Sequence, residues 1–280
     1  MDLYYRAYDV HEVLAHRAAE IGGYYERAGV KVELKDGSGA KAKELESVTP
    51  VTIGVGGAVL SRLVHGANWA VVSVNTQHPL FWFAAGPSIV AMEQLKGKRV
   101  AAPPTGTAPA LFCRIVLRRH GLDLERDCTY LPTPPGPAAA MLQRGEVEAC
   151  FVNAAPFELE RSGCRIFFFG TELQAATTGL AVNQNLIEAD SPEVTRLVQA
   201  HRMALERLHG DREFALRAIL EIHPQFTSED AALLLDRYIH PYWTHNGRPD
   251  RGKAEESLKE MARELGMEAA PAFPEVFKVV

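Results

Sequence analysis

Thr105-Gly106-Thr107 stands between Pro103-Pro104 and an apolar-periodic stretch from Ala108 to His120. The proline pair ends one element and the turn opens a helix, whose first backbone N–H groups have no partner inside the helix. With two hydroxyls beside them, these donors suit a carboxylate, sulfonate or phosphate. The same residues serve equally well as an ordinary helix cap. A second candidate is Asp9 with His11, a carboxylate and an imidazole at the end of the first strand. That pair could hold a cationic or amino-bearing ligand or move a proton, and an unremarkable exposed loop is the equal alternative. Gly56 and Gly57 open another helix, Asn75 to His78 supply polar groups before a chain crossing, and Asn153 follows a strand. Phe81 and Trp82 offer flat faces for stacking, with core packing the competing use.

These residues need an alternating α/β scaffold to bring them to the ends of strands. Strands are expected at 2–8, 30–34, 51–55, 69–74, 100–102, 165–169 and 177–182, with helices at 13–27, 58–65, 108–120, 192–209, 212–223, 228–237 and 251–265. Residues 35–49 read as a loop with a short helix. No internal repeat or low-complexity linker interrupts the order.

With 280 residues, 47% of them hydrophobic and 23% charged, the chain can bury a large core. Its net charge of -5 leaves no footprint for nucleic acid. No stretch approaches the ~18 apolar residues of a membrane span, and the start lacks a basic-then-apolar leader. The expected location is therefore periplasmic if a signal peptide was removed and cytoplasmic if Met1 is the native start. Cys113, Cys128, Cys150 and Cys164 have no CxxC spacing and read as free, buried thiols. The histidines show no paired spacing on one helix face, so none is assigned to a metal, and most are expected at the surface. The run His240-Pro241-Tyr242-Trp243 with His245 reads as a turn holding a packed Trp.

Several segments carry a family likeness: Ala19 to Glu26 before Gly29-Val30, Thr52-Ile53-Gly54-Val55-Gly56, Leu95 to Ala101, Gly121-Leu122-Asp123 and Arg144 to Ala149. In order and spacing they resemble the solute-binding proteins of ABC importers, in the nitrate, sulfonate and thiamine-precursor branch that includes the thiamine-pyrimidine synthase-like proteins. The resemblance implies a two-lobed α/β fold of periplasmic-binding-protein type (type II) with a ligand cleft between lobes. Lobe one would hold residues 1–80 plus 175–280, and lobe two 81–174. It implies a small-molecule ligand, anionic or heteroaromatic, and an ABC transporter permease as partner. The contacts carried over are Asp9, His11, Gly56, Gly57, Asn75, His78, Trp82, Thr105, Gly106, Thr107 and Asn153. The alternative is an enzyme on the same scaffold: a decarboxylase, dehydratase or pyrimidine synthase. Against the synthase, its cysteine-rich run has no counterpart at Glu148 to Asn153, and Glu20 and Gly22 flank Ile21 where its lysine would be sought. No pyridoxal phosphate or other cofactor is expected.

Overall fold

The structure is a computed structural model in which residues 1–38 and 51–278 are described. The expected loop and short helix at 35–49 fall almost wholly outside these residues. Along the chain the strands are β1 (Asp2–Tyr5), β2 (Glu33–Asp36), β3 (Val51–Thr52), β4 (Trp69–Thr76), β5 (Trp82–Ala85), β6 (Arg99–Ala102), β7 (Thr129–Pro132), β8 (Ala149–Val152), β9 (Arg165–Phe168) and β10 (Thr178–Asn183). The helices used below are α1 (Val10–Ile21), α2 (Tyr24–Ala28), α3 (Val55–His65), α4 (Ala108–Arg119), α5 (Pro135–Gln143), α6 (Pro192–Gly210), α7 (Arg212–Ile222), α8 (Ser228–Leu234) and α9 (Arg251–Glu264).

The chain forms two compact units. The first comprises Met1–Gln77, Ala175–Leu258 and Pro271–Val280; the second comprises His78–Gln174 and Lys259–Ala270. Residues 259–270, expected with the first lobe, thus belong with the second unit. Two ion pairs inside that unit give the reason: Arg118 Nε donates to Glu264 at 2.6 Å, and Arg119 to Glu260 at 2.5 Å, tying the last turns of α9 to α4.

The sheet of unit 1 runs β2-β1-β3-β10-β4. β1 is parallel to β2 and β3, while β10 is antiparallel to both β3 and β4. Unit 2 repeats the logic as β7-β6-β8-β5-β9, with β5 antiparallel to β8 and β9. In each sheet the reversed strand comes shortly after the chain enters that unit. β4, last in its sheet, is buried throughout, and other segments satisfy its outer edge. Val74 donates to Gly247 O at 2.8 Å, Thr244 to Asn75 O at 2.7 Å, and Lys278 to Val71 O at 2.8 Å. An uncovered edge of that apolar character would be a template for aggregation.

Boundaries differ where local chemistry overrides periodicity. β1 stops at Tyr5 because the Arg6 and Ala7 amides turn onto the Glu12 carboxylate, at 2.6 and 3.1 Å. α1 starts at Val10, capped by Asp9, and breaks at Gly22-Gly23, where Gly23 adopts φ +65° and separates it from α2. The helix expected at 228–237 becomes a π-helical turn at Leu235–Ile239. Phe81 and Trp82 are both core residues: Phe81 packs on Phe112 and Phe151, and Trp82 lies 5.6 Å from Phe168 between ring centroids. Cys113, Cys128 and Cys150 are buried free thiols, whereas Cys164 is half-exposed. Among the described residues no helix is long and apolar enough to cross a membrane.

Candidate functional site

In unit 1 the loops after β1 and β3 lie at the carboxyl ends of parallel strands, the usual ligand edge of open α/β sheets. Asp9 is the N-cap of α1: its Oδ1 accepts from the Glu12 amide at 3.1 Å, and its carbonyl accepts from Val13 at 2.9 Å. The carboxyl is buried, and its pKa is raised well above the usual range by desolvation and by neighbouring Glu12, with the capping amides opposing. His11 is buried too, and desolvation lowers its pKa to about 3, so the ring is neutral at physiological pH. Val10, ahead of it, donates its amide to His223 Nε2 at 3.4 Å. The amides at the start of α1 are therefore taken up inside the unit.

α3 begins differently. Its N-cap is Gly54, with no side chain to cap the helix. The Val55 amide turns back to Ile53 O at 3.0 Å and the Gly56 amide donates to Thr177 O at 3.0 Å. The Gly57 amide has no acceptor among the described residues, and open space lies where a Gly57 Cβ would point. A helix start with a free donor and no capping oxygen is receptive to an anion. Arg6 adds charge: its side chain passes 3.3 Å from the position of a Gly54 Cβ, and its guanidinium forms no ion pair among the described residues. Glu12 and Asp36 both feel its charge; burial raises the Glu12 pKa, while the Arg6 and Ala7 amides and the Arg6 charge pull it down.

Asn75, at the carboxyl end of β4, is fully buried; its Oδ1 accepts from His201 Nε2 at 2.6 Å and its Nδ2 has no acceptor among the described residues. Thr177 and Thr178 likewise carry buried hydroxyls without partners among the described residues. His201 and His16 stack at 5.1 Å in the core, where the surface was expected. Tyr25 OH meets His16 Nδ1 at 2.9 Å and Ser73 Oγ meets His201 Nδ1 at 2.8 Å. His16 Nε2 faces Gly179 O at 3.4 Å and His201 Nε2 faces Asn75 Oδ1, so both rings donate at Nε2 and accept at Nδ1. Burial depresses both pKa values, that of His16 to about 4 and that of His201 well below its ordinary value.

In unit 2 the Thr105 to Thr107 turn precedes α4 with Gly106 at φ +88°. Thr107 caps the helix, accepting from the Ala110 amide at 3.3 Å and donating to Pro104 O at 2.9 Å. Thr105 accepts from Arg114 at 3.2 Å, and Arg114 is held in turn by Glu125 at 2.8 Å. Both hydroxyls thus have internal partners, which leaves the backbone amides of the turn as its freer donors. His78 Nδ1 donates to Gly170 O at 2.6 Å, Trp82 is buried in β5, and Asn153 is half-exposed at the end of β8. Unit 1 therefore gathers Asp9, His11, Gly56, Gly57 and Asn75 at one sheet end, and unit 2 carries His78, Trp82, Thr105, Gly106, Thr107 and Asn153. Arg6, Glu12, Thr177 and Thr178 were not singled out from the sequence. A cation directly after the first strand was the available signal for Arg6; nothing marked the threonines, whose position depends on distant strand pairing.

The family model described as NMT1/THI5 like matches residues 12–213. The chain belongs to the NMT1/THI5-like family. No curated protein matches the sequence. In fold, this NMT1/THI5-like chain is similar to the periplasmic aliphatic sulphonate binding protein SsuA from Escherichia coli, with TM-score 0.77, 17% identity, and coverage of 100% of this chain and 92% of that one. It is also similar to the alkanesulfonate-binding protein SsuA from Xanthomonas axonopodis pv. citri bound to MOPS, with TM-score 0.75, 16% identity and coverage of 99% and 98%. The desulfurization enzyme DSZB matches with TM-score 0.66, 13% identity and coverage of 96% and 93%. The fold is thus the α/β fold of periplasmic binding proteins.

Proposed function

We propose that this NMT1/THI5-like chain is a solute-binding protein for a small organic anion, a sulfonate or carboxylate, which it delivers to an ABC transporter permease. The observation that carries the reading is the uncapped start of α3, where the Gly57 amide has no acceptor among the described residues and the Arg6 side chain passes the Gly54 N-cap. Amide and guanidinium together supply directional donors and a full positive charge, the combination that charge-assisted recognition of an oxyanion requires. Asn75 Nδ2 and the Thr177 hydroxyl are further donors from unit 1. Two solved proteins of the same fold are named for binding sulfonates, which favours this anion class.

Thermal-shift and calorimetric screens of alkanesulfonates, short carboxylates and aminopyrimidines test it. A true ligand at about 100 times its Kd adds ~2.7 kcal/mol of stability. Arg6→Ala is expected to weaken an anionic ligand ~10–100-fold, the equivalent of ~1.5–3 kcal/mol for a charged hydrogen bond. Binding of neutral aminopyrimidines alone, or unchanged affinity in Arg6→Ala, would overturn the anion reading. Mass spectrometry of incubated ligand completes the test: catalytic conversion would move the protein to the enzyme class.

A further inference from the structure

A second cationic site lies in unit 1 at the covered edge of β4. Val72, Ser73, Val198, Arg202, Gly247 and Arg248 line a small depression, together with Asn246, Pro249 and Lys278. No Asp or Glu is among these residues, although the chain as a whole has a net charge of -5. None of Arg202, Arg248 or Lys278 pairs with a carboxylate among the described residues. Arg202 Nε is buried and has no acceptor among the described residues. An unpartnered buried donor on a cation is costly, so its retention calls for a compensating anion.

The three cations sit on backbone that the fold fixes. Lys278 donates its amide to Val71 O at 2.8 Å, and Gly247 O accepts from Val74 at 2.8 Å. The turn before Arg248 is closed by Gly247 N to Thr244 Oγ1 and by Arg248 N to Asn246 Oδ1, each at 3.0 Å. Gly247 adopts φ +73°, and an added Cβ would lie 2.1 Å from Ser73 Oγ, so the turn is seated tightly on the strand. The cavity among these residues is about 10 Å³, room for one oxygen-sized group. A tetrahedral oxyanion can seat one oxygen there and keep its others at the rim among the cations, whereas a planar monocarboxylate leaves most of the positive charge unmatched.

We infer that this depression binds a tetrahedral dianion, phosphate or the phosphate of a small phosphomonoester. The site is separate from the α3 start and does not depend on the ligand proposed there. Calorimetry of inorganic phosphate at low ionic strength, with acetate as the monovalent control, provides the test. Saturable one-to-one binding of phosphate over acetate is expected, persisting in Arg6→Ala and falling at least tenfold in Arg202→Gln with Arg248→Gln. Amide resonances of Gly247 and Ser73 should shift on titration while that of Gly57 stays in place. Lys278→Gln is the second variant if the arginine double variant fails to fold, and it should weaken phosphate several-fold. No saturable binding to the wild type, unchanged binding in the variants, or shifts that gather at Gly57 would each overturn the proposal. Glycerol 3-phosphate in a parallel titration separates the sources: tighter binding than inorganic phosphate points to an ester, equal or weaker binding to the free ion.

Discussion

Asp9 was a candidate ligand contact in the sequence and is a helix cap in the fold, and two substitutions separate these duties. Asp9→Ala removes the acceptor for the Glu12 amide and should lower stability by about 1 kcal/mol in denaturant titration. Asp9→Ser keeps a capping oxygen without the charge, so it should recover most of that loss. If Asp9 also touches ligand, the serine variant stays stable and still binds weakly. The residues that could be read from the sequence were those whose role is local, such as Thr107 as a cap before a helix. Arg6, Thr177 and the stacked His16 and His201 were not legible, because their neighbours come from segments far apart in the chain. A lone histidine in an amphipathic helix gives no sign that a second imidazole from another helix will lie on it.

At the scale of elements, helices were legible through their periodic apolar faces, while the order of strands was not. The pairing of β10 with β4 joins residues on either side of the His78–Gln174 segment, and no local pattern records it. Glycines mark it in hindsight. Gly179 takes φ +150° within an irregular register of that pairing, and an added Cβ would lie 2.2 Å from Ser73 O. Gly179→Ala should therefore cost at least ~3 kcal/mol, from strained backbone and from the displaced β4 carbonyl together. Urea unfolding measures it. A loss below ~1 kcal/mol would show that the two strands can separate locally at little cost.

For the whole molecule, pH should act on the two units in opposite senses. In unit 1, His16 and His201 are neutral in the fold with depressed pKa values. Above the ordinary imidazole pKa they cost nothing; as pH falls below ~6.5 the unfolded chain takes up protons that the fold refuses, and these two rings weaken unit 1, while the raised pKa values of buried Asp9 and Glu12 act in the other direction. The loss from His16 alone reaches about 3 kcal/mol by the pH of its folded value, at 1.36 kcal/mol per unit. In unit 2, His120 lies 2.7 Å from both Glu93 and Glu172. Burial of its ring disfavours charge, but the two carboxylates raise its pKa overall, so its contribution is complete below ~6.5 and fades as pH rises through the folded value. Trp82 reports on unit 2, and Trp69 and Trp243 on unit 1. Single-tryptophan variants should show coincident melting near neutral pH and earlier loss of the unit 1 signal at pH 5; simultaneous melting at both values would refute the opposition. The split of unit 1 across the chain also sets a timetable at the ribosome. Residues 78–174 emerge as one run containing all five strands of their sheet, whereas β1, β3 and β4 must wait for β10 to be synthesised before their own sheet can close. The part made first is finished last, and through that interval the apolar β4 depends on whatever holds nascent chains apart.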